Sequence, residues 1–522
     1  MERAKLQRLP TRVPALRRYL PALVLVFLSP LAATAQQTPV DSTFFDALDV
    51  RVIEVEVVVT DRAGHRVPNL APEDFQLLVD GRPVPIDYFS ERWEGTVTHE
   101  GSAATDEGNS YLVFIDDYFT DRRFREALFV KLLEDLEHLR PSDRMAVLRY
   151  RGLRLEVLSG WTSSPSELRE VLGRARRKRS REQMRRLRIT TSGVNAIRTE
   201  AQQIRKVASC VAAGMRTMAR VPGRKVLVLI STGWPYWLGI GADVAERIEM
   251  SRYGGIRLLR PVTDTANLLG YTIYPLHLGL IQGDQHRANA ANRYPKRPPI
   301  DEVWTLGSLD FLAAETGGEL HAYAAVVEAP FERVVEDTRS YYSLGFTPVR
   351  QANNQPHSIR VVVANRDLEV RHRRGYVDLS RAAVASMNAE AALLIGTSGP
   401  ALAIELGRPQ RKGLTTVEVP VEVTIPMDWV TMVPIRGQYA ARLELRVATI
   451  DAAGDRSEMP VVPLNFTGPR PQPGSWAVYE TRLKIRRTQL EVLVDLHDTL
   501  SGKSWSTIVE LDKGRSTQRD GG

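Results

Sequence analysis

Three short apolar runs set the strongest limit on what this chain folds into. They are the segments Tyr111–Ile115, Lys225–Ile230 and Tyr271–Leu276. Short runs of this kind are typical of strands that are covered on both faces. Between them lie segments with helical spacing, such as 124–139, in which Leu128, Leu132 and Leu136 recur four residues apart. Alternating strands and helices predict an α/β fold with a doubly wound, mostly parallel sheet.

Alternating apolar and polar residues on both sides of this region predict β structure. Before it, Val55, Val57 and Val59 form one apolar face of a predicted strand. Further along, Asp80-Gly81 separates two apolar segments and predicts a β-hairpin, because this dipeptide accepts the positive φ angles of a type I′ turn. We therefore expect β-sandwich-like modules to flank the α/β domain.

The domain organisation follows from these changes in pattern. The predicted segments are a signal peptide (1–35), an N-terminal β module (49–92), the α/β domain (110–340), further β strands (341–378), a linker (379–400) and a C-terminal β-sandwich (401–515). The strands at 341–378 could complete the N-terminal β module, which would make the α/β domain an insertion. Residues 95–109 are small, polar or acidic, and predict a linker or mobile loop.

The N-terminus has the layout of a secretory signal peptide. Residues 1–35 contain six basic residues and one acidic residue, then the apolar run Tyr19–Leu31, then Ala33-Thr34-Ala35. The apolar run is shorter than the ~20 residues that a membrane-spanning helix needs. We therefore expect cleavage before Gln36, a periplasmic or extracellular protein, and no integral membrane span after cleavage.

The net charge of +8 is unevenly distributed. Residues 174–188 hold nine basic residues against Glu182 alone. The centre of this basic patch is formed by Arg176, Arg177, Lys178, Arg179 and Arg181. Such a patch fits an acidic protein surface or an anionic envelope polymer, and a solvated insertion is the alternative. We do not expect nucleic acid as the partner of an exported protein.

The sequence contains no recognisable catalytic motif. The single Cys210 excludes an intramolecular disulfide and a thiolate cluster, and its apolar neighbours predict a buried side chain. No two of the nine histidines have metal-ligand spacing, and Ser231 lacks the Gly-x-Ser-x-Gly pattern of a nucleophile. We therefore predict that the protein is not an enzyme and has no catalytic residues and no organic cofactor.

Several short segments, taken in their order along the chain, resemble the von Willebrand factor A-related proteins of the acidobacterial type. They are Val55–Asp61, Pro72–Phe75, Phe114–Asp117, Pro141–Val147, Gly223–Ser231, Tyr274-Pro275, Leu312–Gly318 and Ser340–Phe346. Each is short, and their order and spacing carry the match over roughly residues 50–378. The resemblance implies a Rossmann-like A domain and a metal-ion-dependent adhesion site.

The adhesion site of that family uses Asp-x-Ser-x-Ser after the first strand, a threonine from a second loop and an aspartate after the fourth strand. Asp116 and Thr120 match this pattern, and Thr190 and Thr191 are the candidates from the second loop, of which we assign Thr191. Tyr118 replaces the first serine, however, and Thr232 stands where the aspartate is expected. The resemblance therefore implies a degenerate site that could hold Mg²⁺ or Ca²⁺ through these oxygen ligands.

Other readings of the same edge stay open. Asp116 and Asp117 could instead cap the following helix. Together with Asp117 and Tyr118, the aromatic residues after the fourth strand, Trp234, Tyr236 and Trp237, are candidate partner contacts, or they pack beneath the loop 281–300.

The function that fits these features is that of an exported, non-enzymatic binding or adhesion-type protein. Its degenerate A domain would recognise a protein or an envelope polymer. The alternatives are a structural envelope component without a specific ligand and a hydrolase accessory protein. The oligomeric state is not determined by the sequence.

Overall fold

The computed structural model describes only part of the chain, and the statements below refer to that part. The described residues are 6–7, 52–93, 96–99, 105–106, 108–120, 122–152, 154–177, 194–235, 248, 255–278, 300–322, 329–348, 352–397, 399–413, 416–435, 437–452, 454–486, 490–512 and 515–518. Apart from residues 6–7, the predicted signal peptide lies outside them.

The chain begins with β structure. Its strands are β1 (Leu6–Gln7), β2 (Ile53–Thr60), β3 (Phe75–Val79), β4 (Arg82–Val84), β5 (Tyr88–Trp93), β6 (Thr96–His99) and β7 (Thr105–Asp106), with a 3-10 turn at Pro72–Asp74. Strands β3 and β4 form the predicted hairpin, in which Asp80 and Gly81 have φ angles of 50° and 76°. Strands β6 and β7 show that the prediction of a linker or mobile loop over 95–109 was wrong at these residues, because β6 pairs with β5 and β7 pairs with β6.

The α/β region follows. Its elements are β8 (Asn109–Asp116), α1 (Arg122–Asp135), β9 (Arg144–Tyr150), β10 (Leu155–Thr162), α2 (Pro165–Arg177), α3 (Val194–Thr217), β11 (Arg224–Ser231), α4 (Gly255–Leu269), β12 (Tyr271–His277), α5 (Ile300–Thr316) and α6 (Pro330–Asp337), with a 3-10 turn at Leu136–His138. The sheet order is β10-β9-β8-β11-β12. Strand β10 is antiparallel to β9, and the other pairs are parallel.

Both faces of this mixed sheet are covered, as the apolar runs predict. Leu112 and Phe114 of β8 belong to a cluster that also contains Val211 of α3 and Leu312 of α5. Val113, on the other face of β8, belongs to a second cluster with α1, α2 and α6. Successive side chains of β8 point to opposite faces of the sheet and thus pack into two separate cores.

The chain then returns to the first β structure. The next strands are β13 (Tyr341–Phe346), β14 (Pro356–Val363), β15 (Glu369–His372) and β16 (Gly375–Val377). Strand β13 lies between β2 and β5, β15 pairs with β2, and β14 pairs with β3. Phe75, Tyr342 and Val361 share one core, so segments from both sides of the α/β region build common sheets.

The segment 379–400, predicted as a linker, contains the helix α7 (Arg381–Ile395). The Oγ atom of Ser380 accepts a hydrogen bond from the backbone N–H of Ala383 at 3.2 Å, and Gly396 ends the helix at a φ of 76°. The small alanines have high helix propensity and let the helix pack closely on α3 and the C-terminal strands. The linker prediction was wrong because it treated an alanine-rich composition as unstructured.

The remaining chain is β structure. It comprises β17 (Ala403–Leu406), β18 (Gln410–Arg411), β19 (Thr416–Pro426), β20 (Val433–Ile435), β21 (Gln438–Asp451), β22 (Val461–Gly468), β23 (Trp476–Arg486), β24 (Leu490–Asp498), β25 (Ser504–Asp512) and β26 (Arg515–Gln518), with a 3-10 turn at Met427–Trp429. These strands form two sheets, and β1 pairs with β23 in one of them. Val421 and Val423 of one sheet share a hydrophobic cluster with Leu443 and Val494 of the other. Among the helices described here, none is long and apolar enough to cross a membrane.

Candidate functional site

Two neighbouring parallel strands end in polar residues at the same edge of the α/β sheet. Strand β8 ends at Asp116 and strand β11 ends at Ser231. The carboxyl edge of a parallel sheet is where open α/β folds place their ligands. Both side chains are fully buried. Asp116 therefore lies at the predicted edge of the sheet, but its side chain is buried beneath the surface.

The carboxylate of Asp116 accepts four hydrogen bonds from neutral donors. The backbone N–H groups of Tyr118 and Phe119 donate to Oδ1, both at 3.1 Å. The Ser231 hydroxyl and the Trp234 indole N–H donate to Oδ2, both at 2.9 Å. Burial raises the pKa of Asp116 to about 6, although these hydrogen bonds act in the opposite direction. The carboxylate therefore stabilises its own loop and joins it to the loop after β11.

Trp234 is fully buried, so its prediction as an exposed partner contact was wrong. Its backbone N–H donates to Ser308 Oγ at 2.9 Å, and the preceding Gly233 has a φ of 86°. A Cβ atom on Gly233 would lie 2.3 Å from the Thr305 carbonyl oxygen, so only glycine fits in this turn. An indole can be buried when its N–H finds an acceptor, and Asp116 supplies that acceptor.

Asp117 is also buried and was wrongly predicted as a partner contact. Its carboxylate pairs with Arg125, whose Nη2 lies 3.3 Å from Asp117 Oδ2. Burial raises the pKa of Asp117, while the charges of Arg125 and Arg149 lower it. Arg125 also donates to the carbonyl oxygens of Ala175 and Arg176, at 2.6 and 3.2 Å. Asp117 therefore helps to join the start of α1 to the end of α2.

The side chains of the next residues in this loop form fewer hydrogen bonds. The Tyr118 ring is half-buried and packs edge-on against Phe119, with 4.9 Å between the ring centroids. Burial raises the pKa of Tyr118 to about 12. Thr120 is 8% exposed, and its Oγ1 has no hydrogen-bond partner among the described residues. Tyr118 is therefore the predicted contact of this loop that keeps some access to solvent.

The residues at this edge do not fit a divalent cation. Such an ion needs six to eight oxygen lone pairs, whereas Asp116 already receives hydrogens on both of its oxygens. Thr120 contributes one hydroxyl, and Thr191 lies outside the described residues. Across the described ranges, no three His, Cys, Asp or Glu side chains are grouped as a metal centre requires.

The sequence analysis did not predict the contacts of two residues at this edge, Ser231 and His277. Ser231 was considered only as a nucleophile, yet its hydroxyl donates to a carboxylate. His277 is its register partner on β12, and burial lowers the pKa of His277 to about 4, while a hydrogen bond to the Thr232 backbone acts in the other direction. Their position at the ends of two strands was the signal that could have identified both.

Three chain segments that begin at this edge lie outside the described residues. They are 178–193, 236–247 and 279–299, and they include Thr191, Tyr236, Trp237, Lys178, Arg179 and Arg181. Their described starting points are the end of α2, the turn at Trp234, and Leu278, whose N–H donates to the Ser231 carbonyl oxygen at 3.0 Å. Segments 178–193 and 279–299 hold six and four basic residues, respectively, against one acidic residue each.

The described part of the basic patch lies on α2, and a buried thiol lies deeper in the domain. Arg176 is exposed, and its Nε lies 3.5 Å from Glu126 Oε1. Arg177 is the last residue of α2. Cys210 is buried, as predicted, and burial raises the pKa of its thiol to about 12.

Comparison with known proteins gives weak similarity. No protein-family model and no curated protein matches this sequence. The SpRpn10 VWA domain is similar at 12% identity over 40% of this chain and 95% of that one, with a TM-score of 0.18. The von Willebrand factor type A structure from Catenulispora acidiphila (11% identity, TM-score 0.22) and the pilus adhesin SpaC from Lactobacillus rhamnosus GG (9%, 0.27) are each similar over 85% of this chain and 71% of theirs. TM-scores this low do not by themselves establish a common fold.

Five of the eight sequence segments that carry the resemblance fall within the α/β region, and the other three lie in the flanking β structure. Phe114–Asp117 spans the end of β8, Gly223–Ser231 covers β11, and Leu312–Gly318 covers the end of α5. They thus lie on two central strands and on a helix that packs beside them. Residues 109–337 therefore contain the segments that resemble the A domain of von Willebrand factor A-related proteins.

Proposed function

We propose that this chain is an exported, non-enzymatic binding protein that recognises an anionic protein surface or envelope polymer. The observation that carries the proposal is that three long segments begin at one edge of the α/β sheet, and that two of them are basic. Positive charge concentrated in segments that start at one edge would attract an anionic partner and raise its rate of association. A metal ion is not required for this type of recognition.

The finer description of the fold belongs to the same proposal. We assign the α/β region to the doubly wound, Rossmann-like type, with β-sandwich-like modules beside it. The sheet order supports the assignment, because β8, the first strand of the domain, lies between β9, the second, and β11, the fourth. The hydrophobic cluster shared by the two C-terminal sheets supports a sandwich at 401–515.

A binding role fits the chemistry at the edge better than catalysis does. The Ser231 hydroxyl donates to Asp116, so it faces a carboxylate and has no imidazole base in that hydrogen bond. His277 is buried, with its pKa lowered to about 4. A serine nucleophile requires an adjacent general base that accepts its proton. The hydrolase accessory reading has no support from these contacts.

Export is proposed from the sequence of residues 1–35, and it places the protein in the periplasm or outside the cell. An oxidising compartment would be tolerated because the single thiol, Cys210, is buried. The alternative is a structural envelope component whose edge binds no specific ligand. The two readings differ in whether an isolated protein is retained by an anionic surface.

Retention of residues 36–522 on immobilised poly-L-glutamate at low and high salt tests the proposal. In one variant serine replaces the six basic residues of segment 178–193, namely Lys178, Arg179, Arg181, Arg185, Arg186 and Arg188. The matched control replaces six exposed arginines elsewhere, namely Arg82, Arg360, Arg366, Arg408, Arg411 and Arg486. We expect roughly tenfold weaker retention for the first variant only, and loss of retention at high salt. Equal weakening in both variants, or no retention of the unaltered protein, would favour the structural reading.

A further inference from the structure

The direction of the hydrogen bonds at Asp116 decides whether its carboxylate can bind the metal ion of the resembled family. A carboxylate offers about four lone-pair sites, and here four N–H or O–H groups point at its two oxygens. A cation at Asp116 would meet the hydrogen of the Trp234 indole and the proton of the Ser231 hydroxyl. Because an indole N–H is only a donor, Trp234 has no lone pair to offer in exchange.

The turn that carries Trp234 is held on more than one side. The Gly233 N–H donates to Ser231 Oγ at 3.1 Å, and the Trp234 N–H donates to Ser308 Oγ at 2.9 Å. Ser308 Oγ in turn donates to the Thr305 carbonyl oxygen at 2.7 Å. The indole is fully buried, so its withdrawal from Asp116 would break contacts with α5 as well as with β8.

The side chains of Tyr118 and Thr120 do not supply the metal ligands that Asp116 lacks. The Tyr118 ring packs against Phe119 and Tyr150, which leaves a phenol where the family has a serine hydroxyl. Thr120 Oγ1 lacks a hydrogen-bond partner among the described residues. One hydroxyl cannot replace the oxygen shell that Mg²⁺ or Ca²⁺ requires.

We propose that the carboxyl edge of this domain works without a divalent cation, and that the Trp234 indole and the Ser231 hydroxyl hold Asp116 in its place. Trp234 is a positioning residue. It joins the loop after β8, the turn after β11, which precedes segment 236–247, and the helix α5, which follows segment 279–299. The inference concerns the same edge as the proposed function, but it holds or fails whether or not a polymer binds.

Metal titration of residues 36–522 tests the first half of the inference. Calorimetry and thermal unfolding are measured with MgCl₂, CaCl₂ and MnCl₂, each with and without EDTA. We expect no saturable heat at millimolar metal and no metal-dependent shift in Tm. A saturable heat that Asp116→Asn abolishes, together with a rise in Tm, would overturn the inference. Poly-L-glutamate retention is measured separately, so failure of binding and failure of metal independence are distinguishable.

Removal of one hydrogen-bond donor to Asp116 tests the second half of the inference, that Trp234 and Ser231 hold this carboxylate in place. Trp234→Phe keeps the ring and loses the N–H, and we expect it to lower the Tm of the A-related domain by roughly 2–8 °C, with no recovery on adding metal. The control is Trp429→Phe, at a partly exposed tryptophan that stacks on Trp505 with 5.7 Å between the ring centroids. If Trp234→Phe does not fold, Ser231→Ala removes the other donor. An unchanged Tm in the folded variant, or recovery on adding metal, would contradict the role of these donors.

Discussion

Asp116 is fully buried and the side chain of Asp337 is 12% exposed, yet they are held by different kinds of partner. Neutral N–H and O–H groups of its own domain surround Asp116. Asp337, at the end of α6, pairs with Arg66 and Arg371 and accepts a hydrogen bond from the Tyr274 hydroxyl at 2.5 Å. Burial raises the pKa of Asp116 to about 6. Burial also opposes the charge of Asp337, but the two arginines outweigh it and lower that pKa.

The difference follows from where each carboxylate lies. Arg66 and Arg371 belong to the β structure built from both sides of the α/β domain, so the charges at Asp337 join two modules. A second such contact joins Arg224 Nε to Glu56 Oε2 at 2.9 Å. Buried ion pairs add little net stability but are costly to break. Ion pairs at Asp337 and Glu56 therefore join two modules, whereas Asp116 is held by neutral hydrogen bonds. The neighbouring Asp117 shows that the same edge also contains a buried ion pair, with Arg125, within the α/β domain.

The largest effect is expected at the junction. Asp337→Asn removes the carboxylate that Arg66 and Arg371 share and leaves Arg371 only the more distant Glu319, at 3.8 Å. We expect the free energy of unfolding in urea to fall by about 3–5 kcal/mol. The loss should weaken both modules, because the two arginines and Asp337 lie on opposite sides of the junction. A loss below about 1 kcal/mol would contradict the contrast between the two aspartates.

The two aspartates should also respond to pH with opposite signs. A carboxyl group whose pKa is raised on folding contributes stability that is present below its ordinary pKa and is lost as pH rises, here between about pH 4 and 6 for Asp116. The expected change is about 3 kcal/mol. The contribution of Asp337 is present above about pH 4 and is lost as pH falls further.

Unfolding in urea from pH 3 to pH 8 measures both signs. Asp116→Asn should remove the decrease in stability between about pH 4 and 6, whereas Asp337→Asn should retain it. The same slope in the Asp116→Asn variant as in the unaltered protein would show that Asp116 does not titrate in this range.

A smaller effect is expected when one neutral donor is removed. Ser231→Ala deletes the hydroxyl that donates to Asp116 and that accepts from the Gly233 N–H. Because a buried carboxylate oxygen loses a donor, we expect a loss of about 1–3 kcal/mol in the free energy of unfolding. The control is Ser343→Ala, which removes an exposed hydrogen bond of 2.6 Å to Glu54. Equal losses in both variants would mean that burial does not matter at Asp116.

The smallest effect is expected at an exposed ion pair. Arg62 and Asp367 are in contact, but their side chains are 78% and 70% exposed. Because solvent screens such a pair, Asp367→Asn should change the unfolding free energy by less than about 0.5 kcal/mol in the same assay. A loss as large as that of Asp337→Asn would show that exposure does not separate the two pairs.

Local patterns predicted most of the strands and helices. The apolar runs at Tyr111–Ile115 and Lys225–Ile230 lie in β8 and β11, and Asp80-Gly81 forms the turn of a hairpin. The helix Arg381–Ile395 was missed because its stability comes from close packing of small side chains, which produces no clear apolar stripe. Strands β6 and β7 were missed because their backbone pairs with neighbouring strands, and the local sequence does not show such pairing.

The candidate site was predicted only in part. Asp116 was correctly placed at a strand end, since the end of an apolar run is visible along the chain. The partner of its carboxylate was not predictable, because Trp234 lies 118 residues away and an aromatic residue after a strand fits an exposed contact equally well. Burial of Asp117 was not predicted either, although its partner Arg125 lies on the following helix, only eight residues along the chain.

The sequence by itself determined the succession of strands and helices in this protein, because periodicity and turn residues act over a few positions. It also placed the acidic residues at the end of β8. Only the tertiary structure decided which buried carboxylate meets an arginine and which meets an indole. Those partners come from elements far apart in the chain, such as Arg66 and Asp337, and the balance between burial and charge is set where they pack.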